Sequence, residues 1–284
     1  MKIKEILEQA IIKLKQKDID EAINKARRLL AFTLNTSKEY LIINNEQEIL
    51  EENIKQYDSS IERLISGEPI QYIIGKQEFM GMEFTVNENV LIPQPDTEIL
   101  VEKTIEILKQ YKEPSVLDLC TGSGAIAVSL SKYVPQAKIV ASDISEEALK
   151  VAKINDKENK VNFIHSNLFE NIDQKFDVIV SNPPYIKTEV IETLSKEVQK
   201  EPHLALDGGQ DGLYFYKKII EQAHKYLNEN GYLCVEIGED QREEIVDLIN
   251  QNGNYKDIKT YKDLGENDRV IICKKIPKNT WFFR

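Results

Sequence analysis

Asn182-Pro183-Pro184-Tyr185 directly follows the apolar run Phe176-Asp177-Val178-Ile179-Val180-Ser181, so an amide, two rigid carbonyls and a phenol are delivered from the end of a buried strand. Proline has a carbonyl but no N–H, and its φ is fixed, so this turn shows acceptors without competing donors. A planar –NH2 group fits it. One hydrogen goes to the Asn182 side-chain oxygen, the other to the Pro183 carbonyl, and Tyr185 stacks on the face. The nitrogen of such a group has a delocalised lone pair and attacks poorly. A site can help by aligning that lone pair on an electrophile, an effect of roughly 7–11 kcal/mol when geometry is good. Taken alone, Asn-Pro-Pro is also an ordinary turn signal, and the neighbouring segments decide between the two readings.

The electrophile's cradle lies upstream. Val116-Leu117-Asp118-Leu119-Cys120 reads as a strand, Thr121-Gly122-Ser123-Gly124 as a tight turn and Ala125-Ile126-Ala127-Val128-Ser129-Leu130 as the start of a helix. Glycines allow close backbone approach, and the free N–H groups of a helix start favour polar or anionic ligand atoms. A second strand, Lys138-Ile139-Val140-Ala141-Ser142, ends at Asp143, where a carboxylate can accept from both hydroxyls of a ribose. Gly122-x-Gly124-x-x-Ala127 also fits the dinucleotide fingerprint, with Asp143 near its spacing of about 20 residues, so on this motif alone a nicotinamide enzyme is a rival. Hydride transfer has no use for paired amine acceptors, whereas methyl transfer from a sulfonium to nitrogen has, and the Asn182–Tyr185 turn favours the latter.

With these residues in view the chain resembles the class I S-adenosylmethionine-dependent methyltransferases, and among them the peptide chain release factor glutamine methyltransferases. Gly67-Glu68-Pro69-Ile70-Gln71-Tyr72-Ile73-Ile74-Gly75, Glu78-Phe79 and Leu91-Ile92-Pro93-Gln94-Pro95-Asp96-Thr97-Glu98 are similar to that family's linker and entry segments. Glu201-Pro202-His203-Leu204-Ala205-Leu206-Asp207-Gly208-Gly209-Gln210-Asp211-Gly212 resembles its loop after the catalytic strand. The resemblance implies methyl transfer from S-adenosylmethionine to the side-chain amide nitrogen of the glutamine in a release factor's Gly-Gly-Gln motif, leaving S-adenosylhomocysteine. It implies catalytic roles for Asn182, Pro183 and Tyr185, with Pro184 completing the acceptor site. Cofactor contacts are implied for Asp118, Cys120, Thr121, Gly122, Ser123, Gly124, Asp143, Ile144, Asn167, Leu168 and Asn182.

Three positions depart from the family pattern: Cys120 stands where Gly is usual, Gln94 where Arg is usual, and Asn167 where an acidic residue often faces the adenine amine. Cys fits the turn as long as its φ stays negative, and the Asn167 oxygen can still accept from an amine. The chain's own Gly208-Gly209-Gln210 lies inside the enzyme-type loop, which makes a release-factor reading of this chain a poor one. Two alternatives remain: methylation of the exocyclic amine of adenine in DNA or RNA, which suits the same turn, and a fold that binds its partner without turnover.

Composition narrows these. A net charge of −11 over 284 residues, most of it beyond residue 75, argues against a surface that wraps nucleic acid and suits a basic protein partner, although a solvated acidic exterior explains it as simply. The three cysteines, Cys120, Cys234 and Cys273, fall in expected strands and are read as reduced core residues of a cytoplasmic protein. His165, His203 and His224 are scattered, so no metal is expected. No apolar run is long enough for a membrane span or signal peptide, and a monomer is expected.

The expected fold is α/β: a Rossmann-like, mostly parallel sheet with a last antiparallel strand pair, behind a small helical bundle. Residues 1–75 form the bundle, to which the resemblance gives a substrate-recognition role, 76–92 a β-hairpin linker around Gly81, and 93–284 the catalytic domain. Helical stripes run through Ile3, Ile6, Leu7, Ala10, Ile11 and Leu14, then Ile19, Ala22, Ile23, Ala26, Leu29 and Leu30, the second opened by an Asp18…Glu21 capping box. Thr36…Glu39 opens a third helix, and Ile54, Tyr57, Ile61, Leu64 and Ile65 mark a fourth. Strands are expected at 116–120, 138–142, 161–165, 176–181, 231–237, 255–261 and 269–274, the last two joined too tightly for a crossover helix. Asp96 and Glu98 are expected either to touch the cofactor or to cap the following helix, the cap being favoured because an acidic first turn complements the helix dipole, Glu201-Pro202 either to shape the substrate loop or to stop a helix, and Trp281-Phe282-Phe283-Arg284 to be a contact or a packed tail.

Overall fold

A computed structural model of the chain describes residues 1–277; the Trp281–Arg284 expectation lies outside them. The chain forms two compact units, Met1–Lys76 with Ser195–Lys200, and Gln77–Leu194 with the chain from Glu201 onward.

The first unit contains α1 (Ile3–Lys15), α2 (Ala22–Thr33), α3 (Lys38–Ile43), α4 (Glu51–Ile65) and α5 (Ile70–Ile74). Its core draws on the expected stripes, with Ile3, Ile6, Ala10 and Leu14 of α1 meeting Ala26, Leu29 and Leu30 of α2 and Tyr57, Ile61 and Leu64 of α4. Ile23 is exposed, outside the stripe. The expected caps fail in detail. Asp18 and Glu21 both take the left-handed backbone (φ +54° and +52°), which ends one helix and begins the next without a side-chain cap. Ser37, not Thr36, caps α3, its Oγ accepting from the Tyr40 N–H at 3.2 Å. Ser195–Lys200 joins this unit through a Lys25–Glu197 ion pair of 2.5 Å and through Gly67, where an added Cβ would stand 2.8 Å from the Lys196 Cβ.

The second unit opens with a hairpin, β1 (Lys76–Phe79) and β2 (Met82–Thr85), shorter than expected. Met80 and Gly81 both have positive φ, the backbone of a two-residue turn that follows the strands' twist. After it come α6 (Thr97–Leu108), β3 (Ser115–Leu119), α7 (Ala125–Tyr133), β4 (Lys138–Asp143), α8 (Glu146–Asn155), β5 (Val161–His165), β6 (Phe176–Ser181), α9 (Thr188–Ile191), α10 (His203–Leu206), α11 (Tyr214–Tyr226), β7 (Leu227–Glu236), α12 (Arg242–Asn252), β8 (Tyr255–Lys262) and β9 (Asp268–Lys275). The sheet order is β5-β4-β3-β6-β7-β9-β8. All pairs are parallel except those of β9, which runs antiparallel to both β7 and β8. The seven expected strands are all present, and β7 starts earlier than 231 because Leu227 already pairs with Phe176 ahead of an irregularity in the register.

Alternation along each strand supplies both faces of the sheet, as expected when helices cover both. Val116, Val178, Val180, Cys234 and Ile272 pack with α6, α7 and the hairpin's Phe79 and Phe84. Leu117, Ile179, Leu233, Val235 and Cys273 pack with Tyr216, Ile219 and Ile220 of α11 and Ile245 and Ile249 of α12. All three cysteines are free, Cys234 and Cys273 within strands and Cys120 just past one.

Asp177 ties three strands at the end of the sheet away from the motif loops. Its Oδ2 accepts from the Ser115 N–H and hydroxyl, both at 2.8 Å, and its Oδ1 from the Asn228 amide at 2.8 Å. Hydrogen bonds to an ionised acceptor are each worth about 1.5–3 kcal/mol, and losing one partner strands the others. Asp177→Ala is therefore expected to lower unfolding stability by about 2–3 kcal/mol, seen as a lower urea midpoint at unchanged slope.

Candidate active site

β3 and β6 are adjacent and parallel yet not consecutive, so the chain order reverses between them and a crevice opens at their carboxyl ends. Leu119 pairs with Ser181, and the Ser181 hydroxyl donates to the Leu119 carbonyl at 2.8 Å, which sets the two motif loops side by side. The Thr121 N–H donates to the Ser142 carbonyl at 3.0 Å, bringing the end of β4 to the same place.

In the first loop Gly122 and Gly124 both have positive φ (+54° and +79°). A Cβ on Gly124 would stand 3.0 Å from the Ala152 Cβ, so this glycine lets the loop pack on α8, whereas a Cβ on Gly122 would meet open space. Cys120 corrects an expectation: its φ is +60°, not negative. A side chain in the left-handed region costs roughly 1–2 kcal/mol, which the flanking ladder must sustain. Burial also holds its thiol protonated by pushing its pKa up.

Two carboxylates flank this loop. Asp118 is fully buried; its Oδ2 accepts from the Thr121 hydroxyl at 2.6 Å, its Oδ1 has no partner, and burial pushes its pKa up to about 7. Asp143 accepts from the Gly122 N–H (2.8 Å) on Oδ2 and from the Ser145 N–H (2.9 Å) on Oδ1, with burial the main influence raising its pKa. Each Asp143 oxygen keeps a second lone pair, enough for a pair of vicinal hydroxyls. Beyond β5, the Asn167 amide donates to Glu170 at 2.8 Å, so its oxygen is the end left to accept.

The second loop begins at Asn182, whose Nδ2 donates to the Thr97 hydroxyl at 3.3 Å. Pro183 and Pro184 are buried. The Tyr185 carbonyl accepts from the Gln241 amide at 3.0 Å, and its ring packs on the core beneath α11. Gly208 and Gly212 lie against Tyr185 so closely that an added Cβ would come within 2.7 Å of the Tyr185 Cα and 2.5 Å of its carbonyl oxygen respectively. The chain's own Gly-Gly-Gln stretch thus braces the 185–188 segment, with the Gly208 N–H donating to the Ile186 carbonyl and the Thr188 N–H to the Gly209 carbonyl.

A cavity of about 290 Å³ lies between these loops. Of the residues expected at the site, Cys120, Gly122, Asp143, Ile144, Asn167, Leu168, Asn182 and Pro184 line it. Asp118, Thr121, Ser123, Gly124, Pro183 and Tyr185 are not among its lining residues. The phenol of Tyr185 lies instead near Arg269, Glu236 and Asp96.

Sequence reasoning missed several contributors. Leu204, Tyr214 and Phe215 line the cavity through a loop whose family-like pattern was visible but whose apolar members were not singled out. Asp96 does not cap α6 with its side chain but pairs with Arg269 at 3.4 Å, and Glu98 accepts from the hairpin's Met80 N–H at 2.6 Å. Arg269 also pairs with Asp263 at 2.9 Å. Buried Glu201 accepts from the Ile92 N–H at 2.9 Å, burial pushing its pKa to about 7, while Pro202 precedes α10; the loop-shaping reading is the one this geometry favours. Gln94 is exposed and donates to the Ile92 carbonyl at 3.0 Å.

Comparison with known proteins matches residues 95–262 to the methyltransferase small domain and residues 5–75 to the PrmC N-terminal domain. A release factor glutamine methyltransferase of Clostridium acetobutylicum is 40% identical over 281 residues, covering 96% of this chain and 98% of that one. The chain belongs to the release factor glutamine methyltransferase family. Another member, from Clostridium botulinum, is 38% identical across 97% of this chain and 100% of its own length. The crystal structure of a methyltransferase from Pyrococcus furiosus shares the fold, with a TM-score of 0.52 at 20% identity over 77% of this chain and 99% of that one. Family membership agrees with the motif reading. No helix among the described residues is long and apolar enough to cross a membrane.

Gln241 holds the second loop in shape. It is buried, its amide donating to the Tyr185 and Gly212 carbonyls (3.0 and 3.2 Å) and its oxygen accepting from the Gly238 N–H (3.0 Å). Gln241→Ala strands three buried backbone groups and should lower stability by about 2–4 kcal/mol, since each unmet group costs about 1–3; the urea midpoint measures it.

Proposed function

We propose that this chain methylates the side-chain amide nitrogen of the glutamine in a release factor's Gly-Gly-Gln motif, using S-adenosylmethionine, in the cytoplasm where release factors work. The observation that carries the reading is the juxtaposition of Asn182 and Asp143 on one cavity wall system, an amine acceptor beside a hydroxyl acceptor.

The residues present fit that cofactor. Asp143 has lone pairs to spare for a ribose, Gly122 faces open space where a side chain would intrude, and Asn167 offers an oxygen toward an amine. Ile144 and Leu168 offer apolar surface on which a base can lie. When bound, S-adenosylmethionine supplies an electrophilic methyl carbon on a sulfonium. The protein's own task is to hold the acceptor. Asn182 presents its oxygen to one amide hydrogen and the Pro183 carbonyl is the candidate acceptor for the other, which turns the nitrogen lone pair toward the electrophile. No strong base is needed, because the nitrogen becomes acidic as its bond to carbon forms and its proton can leave during or after transfer. Tyr185 is assigned to the wall that supports this turn. Asp118, Thr121, Ser123 and Gly124 act one layer back, fixing the loop that Cys120 and Gly122 present.

The helical unit is assigned to recognition of the release factor. The matched PrmC N-terminal domain supports this, as it spans residues 5–75 and so accounts for most of that unit.

The test is transfer of labelled methyl to a purified release factor and to a version whose Gly-Gly-Gln glutamine is replaced. Label on the first alone is the expected result; label on neither, with adenine-containing nucleic acid accepting methyl, would move the assignment to adenine. Within the proposed reading, Asn182→Ala should lower kcat about 100-fold or more while S-adenosylmethionine affinity stays within about threefold. Equal losses in both would count against Asn182 acting on the acceptor.

A further inference from the structure

Behind Asn182 lies a carboxyl group for which the methyl-transfer reading has no use. Glu236 is the last residue of β7, paired in register with Val270 of β9 and 2% exposed. Its backbone carbonyl accepts from the Tyr216 hydroxyl at 2.7 Å, but its side-chain Oε2 has no hydrogen-bond partner. An acceptor buried with an idle oxygen is costly, and proteins sustain such costs chiefly at functional sites. The Thr97 hydroxyl and the Asn182 amide lie close enough to the carboxyl to draw its pKa down. Asn182 Nδ2 donates to the Thr97 Oγ1 at 3.3 Å, so side chains from β7, α6 and the β6 loop gather around one buried carboxyl group.

The two ends of an asparagine amide have nearly the same shape, and only their partners decide which is N and which is O. An ionised carboxylate accepts and cannot donate. We propose that Glu236 is a positioning residue: its carboxylate, acting with Thr97, holds the Asn182 amide with Nδ2 turned inward and Oδ1 left for the acceptor nitrogen in the cavity. The inference rests on the amide-methylation reading of the site and adds to it the group that sets the polarity of Asn182.

The surroundings make this control sensitive to pH. Burial pushes the Glu236 pKa up to about 7, donation from Thr97 and Asn182 and the charge of Arg269 draw it back down, and Asp96 pushes it up. Tyr185 and Tyr216 also face it, both held neutral by burial. Arg269 is already shared between Asp263 and Asp96, so it does not neutralise Glu236 outright. A protonated Glu236 carries an O–H that can donate to Asn182, and the polarity is then no longer dictated. Because the folded pKa is raised, the ionised form is the one that costs stability: the cost builds up as pH rises from the ordinary value of 4.5 and is complete above about 7.

The experiment compares Glu236→Gln, Thr97→Val and the double variant with the wild type, using methyl transfer to a release factor, calorimetric binding of S-adenosylmethionine and urea unfolding. Glu236→Gln should lower kcat roughly 10- to 100-fold, the scale of a small misplacement of a positioning group, with cofactor affinity unchanged. The wild-type to Glu236→Gln ratio of kcat should rise between pH 6 and pH 8; Asp118 and Glu201, which titrate in the same range, are common to both enzymes and cancel. Thr97→Val should reproduce the loss, and the double variant should be no worse than the poorer single one, as for residues acting in one chain. At pH 8 the urea midpoint of Glu236→Gln should be no lower than the wild type's. A ratio flat with pH, additive losses, or cofactor affinity falling in step with kcat would overturn the inference. Wild-type protein that labels no release factor would instead sink the amide-methylation reading, so the two failures are separable.

Discussion

The whole site hangs on one pairing, Leu119 against Ser181 at the carboxyl ends of β3 and β6. Parallel strands in register end level with each other, so whatever follows them is held at the same height above the sheet. One strand is followed by a glycine turn and the other by a proline turn. The first gives backbone that a ligand can approach closely, and the second gives carbonyls that no N–H competes for. The Ser181 hydroxyl on the Leu119 carbonyl locks this level. A slip of one residue would turn every side chain of β6 to the other face and separate the two loops.

Around that pairing the unit is arranged in layers, apolar within the sheet and polar toward the cavity. The strands themselves are sealed by apolar residues on both faces. Behind the loops come fixed polar groups: Asp118 with Thr121, Asp143 with Gly122 and Ser145, Gln241 with Tyr185 and Gly212. Burial raises the pKa values of Asp118, and of Glu201 and Glu236 elsewhere in this unit, toward neutrality. Such groups tend to gather where function is, since a fold that needed only stability would fill those positions with apolar side chains.

What the sequence could show followed its periodicities. Strands with continuous apolar runs, such as Val178-Ile179-Val180, and stripes such as Ile3, Ile6, Ala10 and Leu14 announced their elements because burial imposes the pattern directly. The two motif loops were legible for a similar reason, as each needs residue types that nothing else can replace. Caps were less legible: Asp18 and Glu21 had the right types but took a left-handed backbone, and Asp96 was claimed by Arg269, which is remote in sequence. The Glu236–Thr97–Asn182 cluster joins three distant segments, and no local spacing betrays it. Cys120 is a case of backbone overriding side chain: its φ is +60° although the residue is not a glycine.

The last described strand has a consequence for how the protein is made. β9 lies between β7 and β8 in the sheet although it is synthesised after both. Until it arrives, β7 has an open edge on that side, β8 has no partner, and Asp96 and Asp263 lack the arginine that joins them. A nascent chain emerging from the ribosome therefore keeps one seam of its sheet unclosed until residues up to Lys275 are free, and prematurely ended chains retain an exposed strand edge of the kind that quality-control proteases and aggregation both exploit.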